Sequence, residues 1–481
     1  MPEPTVKNLI LAAFISVIAA SCAPRTSGVA THPPNAPSVA PVVATPQSAI
    51  QDASVRAHME FLAGDALNGR GSGTRDEWIA VSYVAAQLRR MGLEPLGENG
   101  GYIQTIEIER PELAAAPVLE MGERRLTHGK EIRVATMNAA SISGQVASLK
   151  PGERAERGMV ILVPELTREL SSSLANAAIV LTRPNGCGGF RGQAGALPRV
   201  SPRTVGVDSA PARPSCVSLD ADSYLAAEKL TPGTRVSLHG EVKGVQKSTT
   251  WNAVGRLAGS DPQQSREVIL LSAHIDHLGV VREPAPGSGT SANGDTIYNG
   301  ADDDASGSVA VLELAEAIAR GPRPKRTIVF AWFGSEETGG AGARYFADKP
   351  IVPLDRIIAN LQFEMIGRPD GKVPPHTLWL TGFERSNLGP ELAKRGAKLV
   401  QDPHPEQNFF TRSDNIQFAR RGVIAHTVSS FGLHKDYHRS SDEISTIDFA
   451  HITDAIQSMV APIDWLANAS FKPEWRPGMK P

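Results

Sequence analysis

Apolar residues recur at helical spacing over residues 54–63 and again over 78–91. Gly92 directly follows the second run, where a left-handed backbone ends a helix. Residues 102–108 then alternate in the manner of a half-buried strand. Further along, the pattern becomes unbroken apolar runs at 268–272 and 327–333, separated by an amphipathic helical stretch at 309–319. Strands without polar alternation, spaced by helices, predict a parallel sheet buried between helix layers. The intervening residues, 111–244, carry short strand-like runs at 159–163, 178–181 and 235–238 among Pro- and Gly-rich turns. They read as an inserted, mostly β domain. The expected class is therefore α/β: a mixed, largely parallel sheet flanked by helices, with a smaller β-rich insert. The catalytic domain is expected over 49–110 and 245–472, interrupted by the insert at 111–244.

Upstream of residue 49 the pattern is not that of a folded element. Lys7 precedes an apolar run at 9–20 that ends in Ala19-Ala20-Ser21-Cys22, the layout of a secretory signal over 1–22. The small residues before Cys22 resemble a bacterial lipobox, in which the cysteine is acylated. Residues 23–48, rich in Pro, Ala, Ser, Thr and Val, read as a flexible tether. The chain is thus expected outside the cytoplasm, as a periplasmic or outer-membrane lipoprotein or a secreted protein. Membrane contact is expected only through Cys22. The remaining Cys187 and Cys216 permit a disulfide in an exported protein, with two free buried thiols as the alternative. The formal net charge of −2 gives no case for a nucleic-acid partner.

The chemistry concentrates at the ends of the apolar runs. Asp302-Asp303-Asp304 stands between Gly300 and Gly307, just before the amphipathic helix. Three adjacent acids repel one another, and a divalent cation would offset that repulsion. His274-Ile275-Asp276-His277 closes the first apolar run, and an Asp two positions beyond a His ligand can hold its other ring nitrogen. Glu336-Glu337 follows the second run, where one carboxylate can bind metal while the other acts as general base. Glu364 follows a third run, and His438 lies in a late polar loop. Taken singly, each has an ordinary structural explanation. Together they offer nitrogen and oxygen ligands without cysteine, which suits Zn²⁺, with Mn²⁺ or Co²⁺ as substitutes. A bridging carboxylate with two terminal ligands per ion would hold a metal pair. The glycine-rich stretch 69–74 lacks a Walker lysine-serine and reads as a plain loop.

These segments, 273–279, 299–307, 333–337, 364–368 and 436–438, resemble those of M28 family zinc metallopeptidases in order and spacing, over about residues 50–470. Members of that family often carry a protease-associated domain at the position of the insert. The resemblance implies two zinc ions per chain, with Asp303 bridging them. His274 and Glu364 would complete one site, and Glu337 and His438 the other. Glu336 would be the general base and Asp276 the partner of His274. Glu364 stands where many members have Asp, which leaves Asp370 as a less favoured substitute. His277, His434 and Asp304 are left outside the ligand set. The implied reaction is hydrolysis of peptide substrates by an exopeptidase, chiefly an aminopeptidase. The alternatives are a carboxypeptidase, a one-zinc glutaminyl cyclase on the same scaffold, or a catalytically silent lipid-anchored receptor or scaffold.

Overall fold

A computed structural model of the protein describes residues 49–150, 152–187, 197–207, 214–281 and 294–481. The signal, the tether and Cys22 lie outside these residues. The main sheet has ten strands among the described residues. At its centre Val268–His274 pairs in parallel with Thr327–Phe333 on one side and with Ile357–Phe363 on the other. Ile357–Phe363 pairs in parallel with Ala425–Ser429. Toward one edge, Val242–Leu257 runs antiparallel to Thr327–Phe333 and to Ile103–Leu113. The sheet is therefore mixed, with a parallel centre.

The unbroken apolar runs have a direct cause, because both faces of the centre are covered. Ile269, Leu271 and Ala273 enter one core with Phe330 and Trp332, while Val268 and Leu270 enter another with Val329, Ala331 and Phe333. Successive side chains alternate between faces, so each face takes every second residue. The first core is closed by helices Gly307–Ala319, Asp52–Leu62 and Phe449–Asn468, through Leu312, Met59 and Met459 among others. The second is closed by Ala341–Asp348 and Asn415–Ala419, through Phe346 and Phe418. Burying each large apolar side chain contributes roughly 1.5–3 kcal/mol, enough to fix the strand ends from which the polar loops leave. Among the described residues no helix is long and apolar enough to cross a membrane.

Among the described residues, eight strands from Val118–Met121 to Arg235–His239 form a second sheet with its own core of Leu119, Val134, Ile179, Val217 and Leu238. Cys187 and Cys216 are joined by a disulfide, with Cα atoms 5.9 Å apart. The two sheets are linked by a long ribbon, in which Ile103–Leu113 and Val242–Leu257 pair from Ile103↔Ala253 to Leu113↔Val242. One short strand, Arg203–Thr204, adds to the edge of the main sheet beside Ile103–Leu113. It carries a piece of the second sheet's connecting chain to the catalytic side.

Candidate metal centre

Four neighbouring strands deliver the polar loops to one end of the main sheet, the position where open α/β sheets place their sites. His274 is the last residue of Val268–His274, and Glu336 and Glu337 follow Thr327–Phe333. Glu364 follows Ile357–Phe363, and His438 lies in the loop after Ala425–Ser429. Ser335, Met365 and His438 all hold positive φ in these loops. Non-glycine residues rarely adopt that conformation, and it persists where the surroundings over-determine it.

Asp303 stands between two histidines. Its Oδ1 is 3.2 Å from His274 Nε2, and its Oδ2 is 3.3 Å from His438 Nε2. His438 Nε2 is also 3.2 Å from Glu337 Oε2. Burial alone would raise the Asp303 carboxyl, but His274 and His438 hold it well below the usual range. Burial and Asp303 likewise oppose the ionised Glu337, whose pKa His277 and His438 nevertheless hold at about 2. The His438 imidazole, lowered by burial, is carried the other way to about 10 by Asp303 and Glu337. Glu364 is pushed up to about 7, first by burial and further by Asp303, against the opposing pull of His274. The Glu336 carboxyl is raised well above its ordinary value by burial, with Asp414, Glu364 and Glu337 adding to the shift and His274 opposing it.

The flanking acids of the triplet do different work. Asp304 accepts from the backbone N–H groups of His274 (3.2 Å), Met365 (3.0 Å) and Gly307 (3.1 Å). Asp302 accepts from Gly367 N (2.7 Å) and meets His434 Nε2 at 2.9 Å. Asp442 in turn accepts from the N–H groups of Asp302 and Asp303. Only the middle acid faces the histidine pair. The outer two are held by backbone donors and, at Asp302 Oδ2, by the His434 imidazole.

Asp276 also acts differently in detail. His274 Nδ1 lies 3.0 Å from the Asp276 main-chain carbonyl, whereas the carboxylate Oδ1 is 3.8 Å away. That carboxylate instead accepts from Glu336 N (2.9 Å) and Glu337 N (3.3 Å). The main-chain carbonyl of Asp276 thus meets the ring, and its side chain holds the Glu336-Glu337 loop.

His277, which the sequence leaves outside the ligand set, lies against it in space. Its Nδ1 is 2.8 Å from Glu337 Oε1 and 3.9 Å from Asp303 Oδ2. Ligand atoms of His277, Asp303 and Glu337 all lie within 4.8 Å of one another. Its ring packs on Gly300, where φ is +57° and an added Cβ would sit 2.6 Å from the imidazole. The signal for His277 was present in the sequence, one residue after Asp276. Asp370, the less favoured substitute for Glu364, pairs with His404 at 2.8 Å and accepts from Trp379 Nε1.

The donor set fits zinc. It is built of imidazole nitrogens and carboxylate oxygens. Its buried Glu364 Oε2 and the adjacent His277 Nε2 have no hydrogen-bond partner among the described residues. Beside the cluster opens a cleft of about 550 Å³, lined by Glu336, Glu337, Arg344, Arg412, Ser413, Asp414 and Tyr437 and, from the second sheet's side, by Asn138 and Ser201. A smaller pocket of about 30 Å³ at Glu364 has Trp379, Phe409 and Phe431 in its walls.

Residues 252–462 match Peptidase family M28. Over 125 residues the chain is 32% identical to Leupeptin-inactivating enzyme 1 of Streptomyces exfoliatus, covering 26% of this chain and 24% of that protein. Over 219 residues it is 26% identical to Leucine aminopeptidase 1 of Trichophyton rubrum, covering 43% of this chain and 56% of that one. The chain thus spans about a quarter of the first relative and little more than half of the second. The fold is similar to that of the aminopeptidase from Aneurinibacillus sp. strain AM-1, with a TM-score of 0.50, 17% identity, and 90% and 96% of the two chains covered. That matched segment, residues 252–462, holds His274, Asp303, Glu336, Glu337, Glu364 and His438.

Proposed function

We propose that the chain is a zinc exopeptidase, an aminopeptidase releasing N-terminal residues, with two ions held by His274, Asp303, Glu337, Glu364 and His438. The observation that carries this reading is the division of one carboxylate, Asp303, between His274 on one side and the His438–Glu337 pair on the other. Zinc bound there would supply Lewis acidity toward the scissile carbonyl and lower the pKa of the attacking water. Glu336 borders the open cleft beside that carboxylate. Its raised proton affinity suits a group that accepts a proton from water and returns it to the leaving amine. Asp276 fixes the backbone of Glu336 and Glu337 together, so the base and the ligand keep one spacing. Tyr437 stacks on His438 at 3.9 Å between ring centroids and limits its rotation. The Cys187–Cys216 disulfide supports an oxidising compartment outside the cytoplasm, in keeping with the secretory layout of the first 22 residues.

The test is Glu336→Gln, assayed on aminoacyl and N-blocked peptides beside zinc content. The expected outcome is about two zincs per chain in both proteins, cleavage of free amino termini only, and turnover lowered roughly 10²–10⁴-fold in the variant. One zinc per chain would move the reading toward a cyclase, and cleavage of N-blocked peptides toward a carboxypeptidase. No metal and no cleavage would leave a silent scaffold.

A further inference from the structure

We propose that the cleft beside Glu336 selects peptides bearing a carboxylate on the leaving-group side, bound by Arg412 with Arg344 and Arg420. This rests on the exopeptidase reading and names the substrate class of that site. The three arginines line the same cleft as Glu336 and Glu337, opposite Asn138 and Ser201. Among the described residues none of the three has a carboxylate within ion-pair distance. Neighbouring arginines behave otherwise. Arg203 pairs with Glu109 at 2.6 Å, Arg368 with Asp436 at 2.9 Å, and Arg421 with Asp348. Arg344 donates to the Gly339 carbonyl, yet its Nε is buried without a partner among the described residues. Arg412 lies over the Phe409 ring at 4.8 Å and borders both the cleft and the small pocket at Glu364. Burial and the nearby charges of Arg154 and Arg421 act against the Arg420 cation, so an incoming anion would relieve it.

Asp348 and Asp414 favour the Arg344 cation only from beyond ion-pair distance. Glu336 and Glu337 belong to the reaction and the ligand set, and Asp414 is 2% exposed. A guanidinium fork matches a carboxylate through two parallel hydrogen bonds. Glu336, which returns the proton to the leaving amine, lines the cleft itself. A peptide extending from that amine therefore passes the arginines. The carboxylate has two sources: the C-terminus of a short peptide, or an acidic side chain just downstream of the scissile bond.

The experiment compares kcat/KM for Leu-Ala-Ala as free acid and as C-terminal amide, and for Leu-Asp-amide against Leu-Asn-amide. Leucine anilide, which has no carboxylate, reports whether the exopeptidase reading itself holds. Wild type should favour the free acid over the amide about tenfold or more. That ratio should fall toward one in Arg412→Gln and in Arg412→Gln/Arg420→Gln, with Arg412→Lys in between. A matching preference for Leu-Asp-amide assigns the site to any nearby carboxylate, and its absence assigns it to the C-terminus. Equal rates for acid and amide in wild type, or a preference unchanged in the arginine variants, overturns the proposal. If anilide and peptides alike resist hydrolysis by the zinc-loaded protein, the exopeptidase reading fails first. Calorimetric titration of Glu336→Gln with the free acid and the amide then tests the carboxylate preference alone. Zinc content and thermal melts of each variant separate loss of recognition from loss of fold.

Discussion

Arg70 shows what a single residue can hide from a reader of the sequence. It falls in the glycine-rich stretch that reads as a plain loop, yet its side chain is 1% exposed. The guanidinium donates to four main-chain carbonyls: Leu62, Ile275 at 2.9 Å, Asn299 at 2.7 Å and Gly300 at 3.0 Å. The last three flank His274 and the Asp302–Asp304 triplet, and Asp276, Asp303, Asp304 and Asp442 surround the charge. Arg70 is thus a fixed cation beneath the acid cluster. Arg70→Met keeps much of the volume but strands four acceptors and removes the balancing charge. We expect a loss on the order of 3–5 kcal/mol in urea unfolding, with Arg70→Lys intermediate. An Arg70→Met protein within 1 kcal/mol of wild type would show that the acids need no such balance. No spacing rule reveals a contact that spans 205 to 230 residues. The places of His274, Glu337 and Glu364 at strand ends were legible for the opposite reason, since each lies at or just beyond the end of an apolar run that reads as a buried strand.

At the scale of elements, legibility tracked burial on both faces. Thr327–Phe333 and Gly307–Ala319 stand close to where their patterns place them, because covered elements carry apolar residues almost throughout. The ribbon was read only in part. The alternation that begins at Ile103 is visible to Ile108, but the strand continues through Arg110 and Pro111 to Leu113. Its partner is largely exposed over residues 242–248, so no core face marks it as a strand. Those residues are extended because they pair with each other, a non-local fact. Helix Arg75–Arg90 shows the converse, an element whose start is fixed by local contacts. Thr74 accepts from the N–H groups of Asp76 (3.2 Å) and Glu77 (3.4 Å), satisfying donors that the first turn cannot pair internally. Glu77 answers by accepting from Gly73 N at 2.6 Å. Thr74→Ala should cost about 1 kcal/mol in chemical denaturation, and Thr74→Ser should recover most of it. A cost below a few tenths would mean that the Glu77 contact alone fixes the helix start.

The order of the main sheet, with Val268–His274 between two strands that follow it in sequence, depends on register across the whole molecule and lay beyond any local pattern. What the whole molecule imposes on its parts is clearest in two histidines far from the ligand set. His58 and His426 are both held at about 4 rather than 6.5, chiefly by burial. His426 is fully enclosed. Its Nδ1 donates to the Thr381 carbonyl at 2.7 Å, which leaves Nε2 to accept from Ser386 Oγ at 2.8 Å. A proton on Nε2 would turn that acceptor into a donor inside an apolar wall that includes Phe410 and Trp475. The sign follows from the depressed value. Above pH 6.5 both histidines are neutral, folded or unfolded, and contribute nothing to pH dependence. Between about 6.5 and 4 the unfolded chain takes up protons that the folded chain refuses, so stability falls with pH, by on the order of 3 kcal/mol per histidine. Urea unfolding of the zinc-loaded protein across that window should show this decline, with the proposed ligands held unprotonated by metal. In His426→Gln, whatever its absolute stability, the slope of unfolding free energy against pH near 5.5 should drop by about 1.4 kcal/mol per unit, one proton fewer. An unchanged slope would mean that His426 titrates alike in both states and that the wall around it opens to water before the molecule unfolds.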